Sequence, residues 1–339
     1  MRYRFFGKTG WRVSEVGFGG ARIGGILAED GGRATSLKTL QAAFDAGINF
    51  YDTADMYSQG ESENLIGGAF RKRRDKVLVA TKGGYVVPRR NRLIQLIKPL
   101  AKPIARAIGL QRSAVPAALS GSLSQDFSPD YMRSAVEGSL RRLQSDYIDL
   151  YQIHSPPRKE LLGARFKDTL GLLSRLKEEG KIREYGLALD SVDDATYCLD
   201  MEGIASLQLP FGLMDPEALD GVFGKASERQ FGIITRGCFG GGALKPTLTE
   251  ADLRAIEPKW KRVLRIRQLS EQRQRSALEA ALQFVLGTEQ VSVAILGMRT
   301  PQHLAANLRH FAAKSLTSEE RREFLAHHDT ECVSTGKAN

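Results

Sequence analysis

Asn49-Phe50-Tyr51-Asp52-Thr53-Ala54-Asp55-Met56-Tyr57 is the stretch on which the reading of this chain turns. Asn49, Phe50 and Tyr51 follow Ala46-Gly47-Ile48, a helix-ending sequence, and are rich in aromatic side chains. They predict a buried strand. Asp52 falls where that strand runs out, and Tyr57 follows on the next loop. An acid at the C-terminal end of a strand, beside a phenol, is a site pattern rather than a packing pattern. Two later strand ends carry matching chemistry: 77–81 runs into Lys82, and 147–153 runs into His154. Each of the four has an ordinary explanation when taken alone. Asp52 suits a cap or turn, Tyr57 packing, Lys82 the surface, and His154 a satisfied half-buried site. Together, at neighbouring strand ends, they make a proton-transfer set.

Strands and helices alternate outward from this stretch. Residues 4–14 predict a β-hairpin turning at Lys8-Thr9-Gly10. Val16-Gly17-Phe18-Gly19-Gly20 is the next strand, and 49–52 and 77–82 follow it. The later strands are 147–154, 184–188, 206–209, 232–235 and 291–296. Helices are predicted over 37–46, 63–71, 131–143, 170–179, 277–286 and 301–311. Ser128-Pro129-Asp130 caps the third of these, and Gly180 and Gly287 stop two others. Eight βα units in one register imply an α/β fold, a (β/α)8 TIM barrel with its site at the C-terminal ends of the strands. Residues 1–312 are read as one barrel domain, with long loops after strands three and seven. Residues 313–339 are read as a C-terminal tail, helical around 318–328.

Composition narrows the function. With 42% apolar and 26% charged residues the chain can bury a sizeable core, and no apolar run is long enough to span a bilayer. Met1-Arg2-Tyr3-Arg4-Phe5-Phe6 lacks an apolar signal-peptide core. Cys198, Cys238 and Cys332 are odd in number and widely spaced, which predicts neither a disulfide framework nor a metal site. A reducing, cytoplasmic setting is the expectation. The net charge of +10 suits attraction of an anionic cofactor or substrate as well as simple solubility. No nucleic-acid-binding motif is present.

Three motifs in order carry a resemblance. These are Gly47-Ile48-Asn49-Phe50-Tyr51-Asp52-Thr53-Ala54-Asp55-Met56-Tyr57, Ala80-Thr81-Lys82-Gly83-Gly84, and Asp146-Tyr147-Ile148-Asp149-Leu150-Tyr151-Gln152-Ile153-His154. The chain resembles the aldo-keto reductase superfamily over roughly 3–311, with some similarity to its L-galactose and sugar dehydrogenase branch. The resemblance implies a catalytic tetrad of Asp52, Tyr57, Lys82 and His154. Tyr57 would donate a proton, and Lys82 would lower the pKa of its phenol. Asp52 would hold Lys82, and His154 would orient the carbonyl oxygen. Tyr57, Tyr85 and His154 would meet the substrate, a small carbonyl compound or sugar.

Gly17-Phe18-Gly19-Gly20 lacks the third glycine of a dinucleotide fingerprint, so a Rossmann reading fails. The resemblance instead implies an extended nicotinamide cofactor lying across the barrel top. It would touch Gly19, Gly20 and Asp52, with Gln208 on the carboxamide and Arg236 stacked on the ring. Gly237, Phe239 and Gly240, in the loop after strand seven, would cover the diphosphate. Gly297, Arg299, His303 and Asn307 would serve the adenosine end. Arg299, beside a helix N-terminus, suits a 2′-phosphate, so NADP is favoured, with NAD possible. Two positions depart from the family pattern: Ala188-Leu189 stand where Ser-Asn is common, and Ala306 stands where Glu is common.

The resemblance also implies two alternatives to carbonyl reduction. One is the reverse reaction, a sugar or alcohol dehydrogenase. The other is a nicotinamide-sensing regulatory subunit with little turnover, like the potassium-channel β-subunits. The basic insertion 85–127 carries Arg89, Arg90, Arg92, Lys98, Lys102, Arg106 and Arg112 with no acid before Asp126. It reads as a surface appendage or a cationic lid over the substrate mouth, and less readily as a membrane-surface or partner helix.

Overall fold

The computed structural model describes residues 1–24, 32–86 and 124–326. Most of the basic insertion, the end of the tail and Cys332 therefore lie outside the described residues. Strands β1 (Tyr3–Phe5) and β2 (Arg12–Ser14) form an antiparallel hairpin, turning through a short 3-10 segment at Gly7–Thr9. Gly10 follows that segment at φ 76°, the left-handed conformation that glycine adopts without strain. Eight further strands close a parallel barrel: β3 (Val16–Gly19), β4 (Phe50–Asp52), β5 (Leu78–Gly83), β6 (Ile148–His154), β7 (Ile182–Ala188), β8 (Ser206–Pro210), β9 (Gly232–Arg236) and β10 (Val293–Gly297). Each pairs with its neighbour in sequence, and β10 pairs with β3 to close the ring.

Successive side chains in a strand point to opposite faces. Phe50, Ala80, Leu150, Ile234 and Val293 share one face and pack into a cluster inside the barrel. Phe6 and Val13 from the hairpin join that cluster and plug its N-terminal end. Phe6 reaches in because Gly232 has no side chain: a Cβ there would fall 2.4 Å from the Phe6 ring. One pleat further along the same face come Asp52, Lys82, Gln152 and Arg236, so the apolar floor sets the height of the polar rim.

The helices wrap the outside over a second, larger core that includes Phe18, Tyr51, Leu65, Val136, Leu173 and Leu282. They are α1 (Gly32–Asp45), α2 (Glu61–Phe70), α3 (Pro129–Leu143), α4 (Arg158–Leu161), α5 (Ala164–Glu178), α6 (Val192–Cys198), α7 (Val222–Glu228), α8 (Glu250–Ile256), α9 (Trp260–Gln272), α10 (Ala277–Leu286), α11 (Pro301–Ala312) and α12 (Ser318–Ala326). Ser128 caps α3 as its sequence predicts, and Ser276 with Glu279 forms a capping box on α10. Five helices exceed expectation, among them the four-residue α4. α6 and α7, seven residues each, complete βα units in which the alternation shows no helical stretch. The long loop after β9 holds α8 and α9, and a Thr249–Asp252 capping box starts α8. The tail helix is present over Ser318–Ala326.

Candidate active site

The C-terminal rim of β4, β5 and β6 gathers four widely separated residues. Lys82 is 1% exposed, and its Nζ donates to Asp52 Oδ1 at 2.6 Å and to the Thr53 carbonyl at 2.9 Å. A buried ammonium survives only when paired and hydrogen-bonded, and these two acceptors meet that requirement. The same Nζ lies 5.3 Å from the centroid of the Tyr57 ring. The Tyr57 ring meets His154 edge-on at 5.8 Å, and Tyr85 also meets His154 edge-on, at 5.0 Å. Phenol, ammonium and imidazole thus enclose one small region above Asp52.

Electrostatics decides the protonation states there. Burial pushes the His154 pKa well below its ordinary value, and the charges of Lys82 and Arg236 push the same way. The imidazole is therefore neutral and holds one N–H to donate. Tyr57 corrects the expectation of a lowered phenol pKa. Burial raises it, while Lys82 and Arg236 pull it down, and the net direction is upward. With burial the larger effect, the phenol is protonated at neutral pH.

The other candidate residues take definite places. Gln208 donates from Nε2 to Asp52 Oδ1 at 2.8 Å, so Asp52 accepts from both an ammonium and an amide. Gly19 pairs with Asp52 across β3 and β4, and the Gly20 amide donates to the Asp52 carbonyl at 2.8 Å. Arg236 donates to the Leu189 carbonyl at 3.0 Å and pairs with Asp190, which ties β9 to the end of β7. Leu189 thus supplies a backbone acceptor where the family commonly has an asparagine. Phe239 lies edge-on to His310, remote from the tetrad in sequence and side-chain contacts. Thr300 caps α11 by accepting from the His303 amide, and Asn307 donates to the Gly297 carbonyl at 3.3 Å. A cavity of about 510 Å³ opens beside this cap, lined by Thr35, Lys38, Thr300, Pro301, Gln302 and His303.

Behind Lys82 lies a second buried polar cluster that the motif reading did not single out. Glu63, fully buried, accepts from Thr81 Oγ1 at 2.6 Å and from Arg142 Nε at 2.5 Å. Asp55 is buried nearby, and its carboxyl is pushed up to about 7, chiefly by burial and then by Glu63. The folded chain therefore keeps a proton on Asp55 from about pH 4 to about pH 7, where the unfolded chain has lost it. Folding takes up that proton, so stability falls as pH rises through this window and stays low above it. Asp55→Asn, uncharged and of the same shape, should stabilise the protein, with a gain larger at pH 8 than at pH 5. The difference should be on the order of a few kcal/mol. Urea unfolding at the two pH values measures it, and an equal effect at both would contradict a raised Asp55.

The comparisons with known proteins fall in line with this geometry. The sequence model of the Aldo/keto reductase family matches residues 15–328. The chain belongs to that family. The chain is 28% identical over 341 residues to the aldo-keto reductase YhdN of Bacillus subtilis, covering 95% of this chain and 92% of that one. It is 28% identical to a D-threo-aldose 1-dehydrogenase of Pseudomonas sp, covering 90% and 91%. Among solved structures, the holo form of the aldo-keto reductase AKR11C1 from Bacillus halodurans superposes with a TM-score of 0.75 at 25% identity, covering 96% of each chain. An aldo/keto reductase is an oxidoreductase acting on carbonyls or sugars with a nicotinamide cofactor.

Two features at the rim are compatible with such a cofactor. Gly237 and Gly297, at the ends of β9 and β10, face open space, since a Cβ on either would meet nothing within 4 Å. His154 Nδ1 is buried with no hydrogen-bond partner among the described residues, a polar atom at the reacting region. Among those residues no helix is long and apolar enough to cross a membrane.

Proposed function

We propose that this aldo/keto reductase reduces an aldehyde or ketone to an alcohol with NADPH, and that Tyr57 donates the proton. The observation that carries the reading is Lys82, buried, bound to Asp52 at 2.6 Å and set beneath the Tyr57 ring, with His154 against that ring's edge. The nicotinamide cofactor supplies hydride to the carbonyl carbon when bound. The chain's own residues handle the oxygen. Neutral His154 donates a hydrogen bond to it and fixes its direction. Tyr57 transfers its proton as negative charge develops there, and the Lys82 ammonium stabilises the phenolate left behind. Asp52 holds Lys82 in place, and Gln208 holds Asp52. The aromatic ring of Tyr85 walls the pocket beside His154.

The phenol, protonated at neutral pH, can enter reduction as the acid. Oxidation of an alcohol or sugar needs the phenolate instead and gains as pH rises. Steady-state rates on a panel of aldehydes and aldoses, beside measured cofactor affinity, test the assignment. Turnover of aldehydes with NADPH supports it. Tight cofactor binding with negligible turnover would favour a cofactor-sensing subunit.

Cofactor choice rests on the α11 cap. Arg299 directly precedes Thr300, which lines the cavity together with Lys38, so a 2′-phosphate there would meet positive charge and a helix N-terminus. Arg299→Ala should raise the NADPH Kd by about 10-fold or more, the equivalent of one charge-assisted hydrogen bond, and leave the NADH Kd within about 2-fold. Fluorescence titration of both cofactors decides, and equal losses would remove Arg299 from phosphate recognition. One relative, an NADH-specific methylglyoxal reductase of Escherichia coli, is 32% identical over 221 residues and shows that the opposite preference exists among similar chains.

A further inference from the structure

The turn that follows Tyr57 is strained. Ser58, Gln59 and Gly60 run in succession at φ 50°, 58° and 85°. Only the glycine adopts that left-handed region freely, so two residues with Cβ atoms are held there against their preference. Strain of this kind persists where the surroundings over-determine it, and it clusters at functional sites.

The surroundings can be named. Ser58 Oγ donates to the Ile23 carbonyl at 2.8 Å. Gly60 lies against Arg142 of α3 so closely that a Cβ would fall 2.5 Å from Arg142 Cδ. Arg142 in turn donates to Glu63 of α2 at 2.5 Å, and the other oxygen of Glu63 accepts from Thr81, the residue before Lys82. On the other side of Tyr57, the Asp55 amide donates to the Lys82 carbonyl at 3.0 Å. A Cβ on Gly83 would fall 2.0 Å from Tyr151 Oη and 3.3 Å from Asp55 Oδ2, so this backbone packs directly on the cluster. One ion pair, its Glu63 fully buried and its Arg142 partly exposed, therefore touches the turn after the phenol and the strand that carries the ammonium.

We propose that the Glu63–Arg142 pair is a positioning device: it pins the left-handed turn Ser58–Gly60 against α3 and so sets the Tyr57 phenol over Lys82. The proposal rests on the reading of Tyr57 as proton donor. Glu63 and Arg142 reach no substrate and act only through Tyr57. Replacing both partners by apolar groups of similar volume leaves no buried Glu63 carboxylate without its cation, so the double replacement separates loss of geometry from the cost of an unpaired charge.

The test uses the full chain with NADPH and 4-nitrobenzaldehyde, or the best aldehyde of the panel. Variants are the double replacement Glu63→Leu with Arg142→Met, the conservative Arg142→Lys, and Ser58→Gly with Gln59→Gly, which frees the turn without touching the pair. Measured are kcat per cofactor-binding site, KM, NADPH Kd and Tm. The apolar double variant should hold Kd within 2-fold and Tm within a few degrees while kcat falls at least 10-fold at little-changed KM. Arg142→Lys should retain more kcat than the double variant, and the glycine pair should lose kcat with unchanged Kd. A double variant with unaltered kcat overturns the proposal. Should it fail to fold, the glycine pair decides, and wild-type kcat there overturns it equally. Tyr57→Phe is the control. If it turns over normally, the proton-donor reading falls and takes the proposal with it. If it is dead while the clamp variants are not, the clamp alone is wrong.

Discussion

Tyr57→Phe should lose turnover by about 10²- to 10⁴-fold, the range that a positioned general acid contributes, while NADPH affinity stays within about 2-fold. The substitution removes one oxygen and keeps the ring. The edge contact with His154 and the Lys82 ammonium beneath the ring both depend on the ring and persist. Steady-state kinetics beside fluorescence titration separate the two quantities. Unchanged turnover would end the assignment of Tyr57 as proton donor. A parallel loss of cofactor affinity would mean that the phenol holds the cofactor rather than the proton.

Lys82→Met carries the second large effect, and it falls on stability as well as turnover. Lys82 is nearly inaccessible, and Asp52 beside it is 5% exposed. Removing the ammonium leaves a buried carboxylate with the Gln208 amide as its remaining side-chain donor. Breaking a buried pair in this way costs about 3–5 kcal/mol, because the surviving charge has no counterion. Urea unfolding at neutral pH should show that loss. The double variant Asp52→Asn with Lys82→Met removes both charges and should recover most of the stability. It should recover none of the turnover, since the phenolate at Tyr57 still lacks its stabilising charge. If the double variant remains as unstable as Lys82→Met, the cost lies in packing of the lysine stem and not in the unpaired acid. If it regains turnover, Lys82 has no part in proton transfer.

Much of the fold was legible locally. The strands announce themselves by short β-rich runs between helix stops, and the helix starts at Ser128 and Ser276 by side chains that bond the first turn. The helices that escaped notice include short ones and one long one, α9 over Trp260–Gln272. α6 and α7 have seven residues each, too few for apolar periodicity to repeat. Ser191 followed by Asp193 and Asp194 was a usable start signal for α6, as was the Thr249–Asp252 capping box for α8.

The site divides in the same way. Asp52, Lys82 and His154 could be placed at strand ends from their own neighbours in sequence. The direction of the Tyr57 shift could not, because burial, which no local pattern measures, outweighs the charge of Lys82. The link from Gln208 to Asp52 spans 156 residues and depends on barrel closure. The bond from Arg236 to the Leu189 carbonyl at the end of β7 also depends on the tertiary fold.

From the order of residues alone came the alternation of elements and the residue types at the strand ends, because these follow from backbone periodicity and steric preference within a few positions. Closure of the ring decided which of those ends face one another and how dry the space between them is. Distance and desolvation are properties of the folded surroundings, and on them depend the neutral His154, the protonated Tyr57 and the turn held behind it.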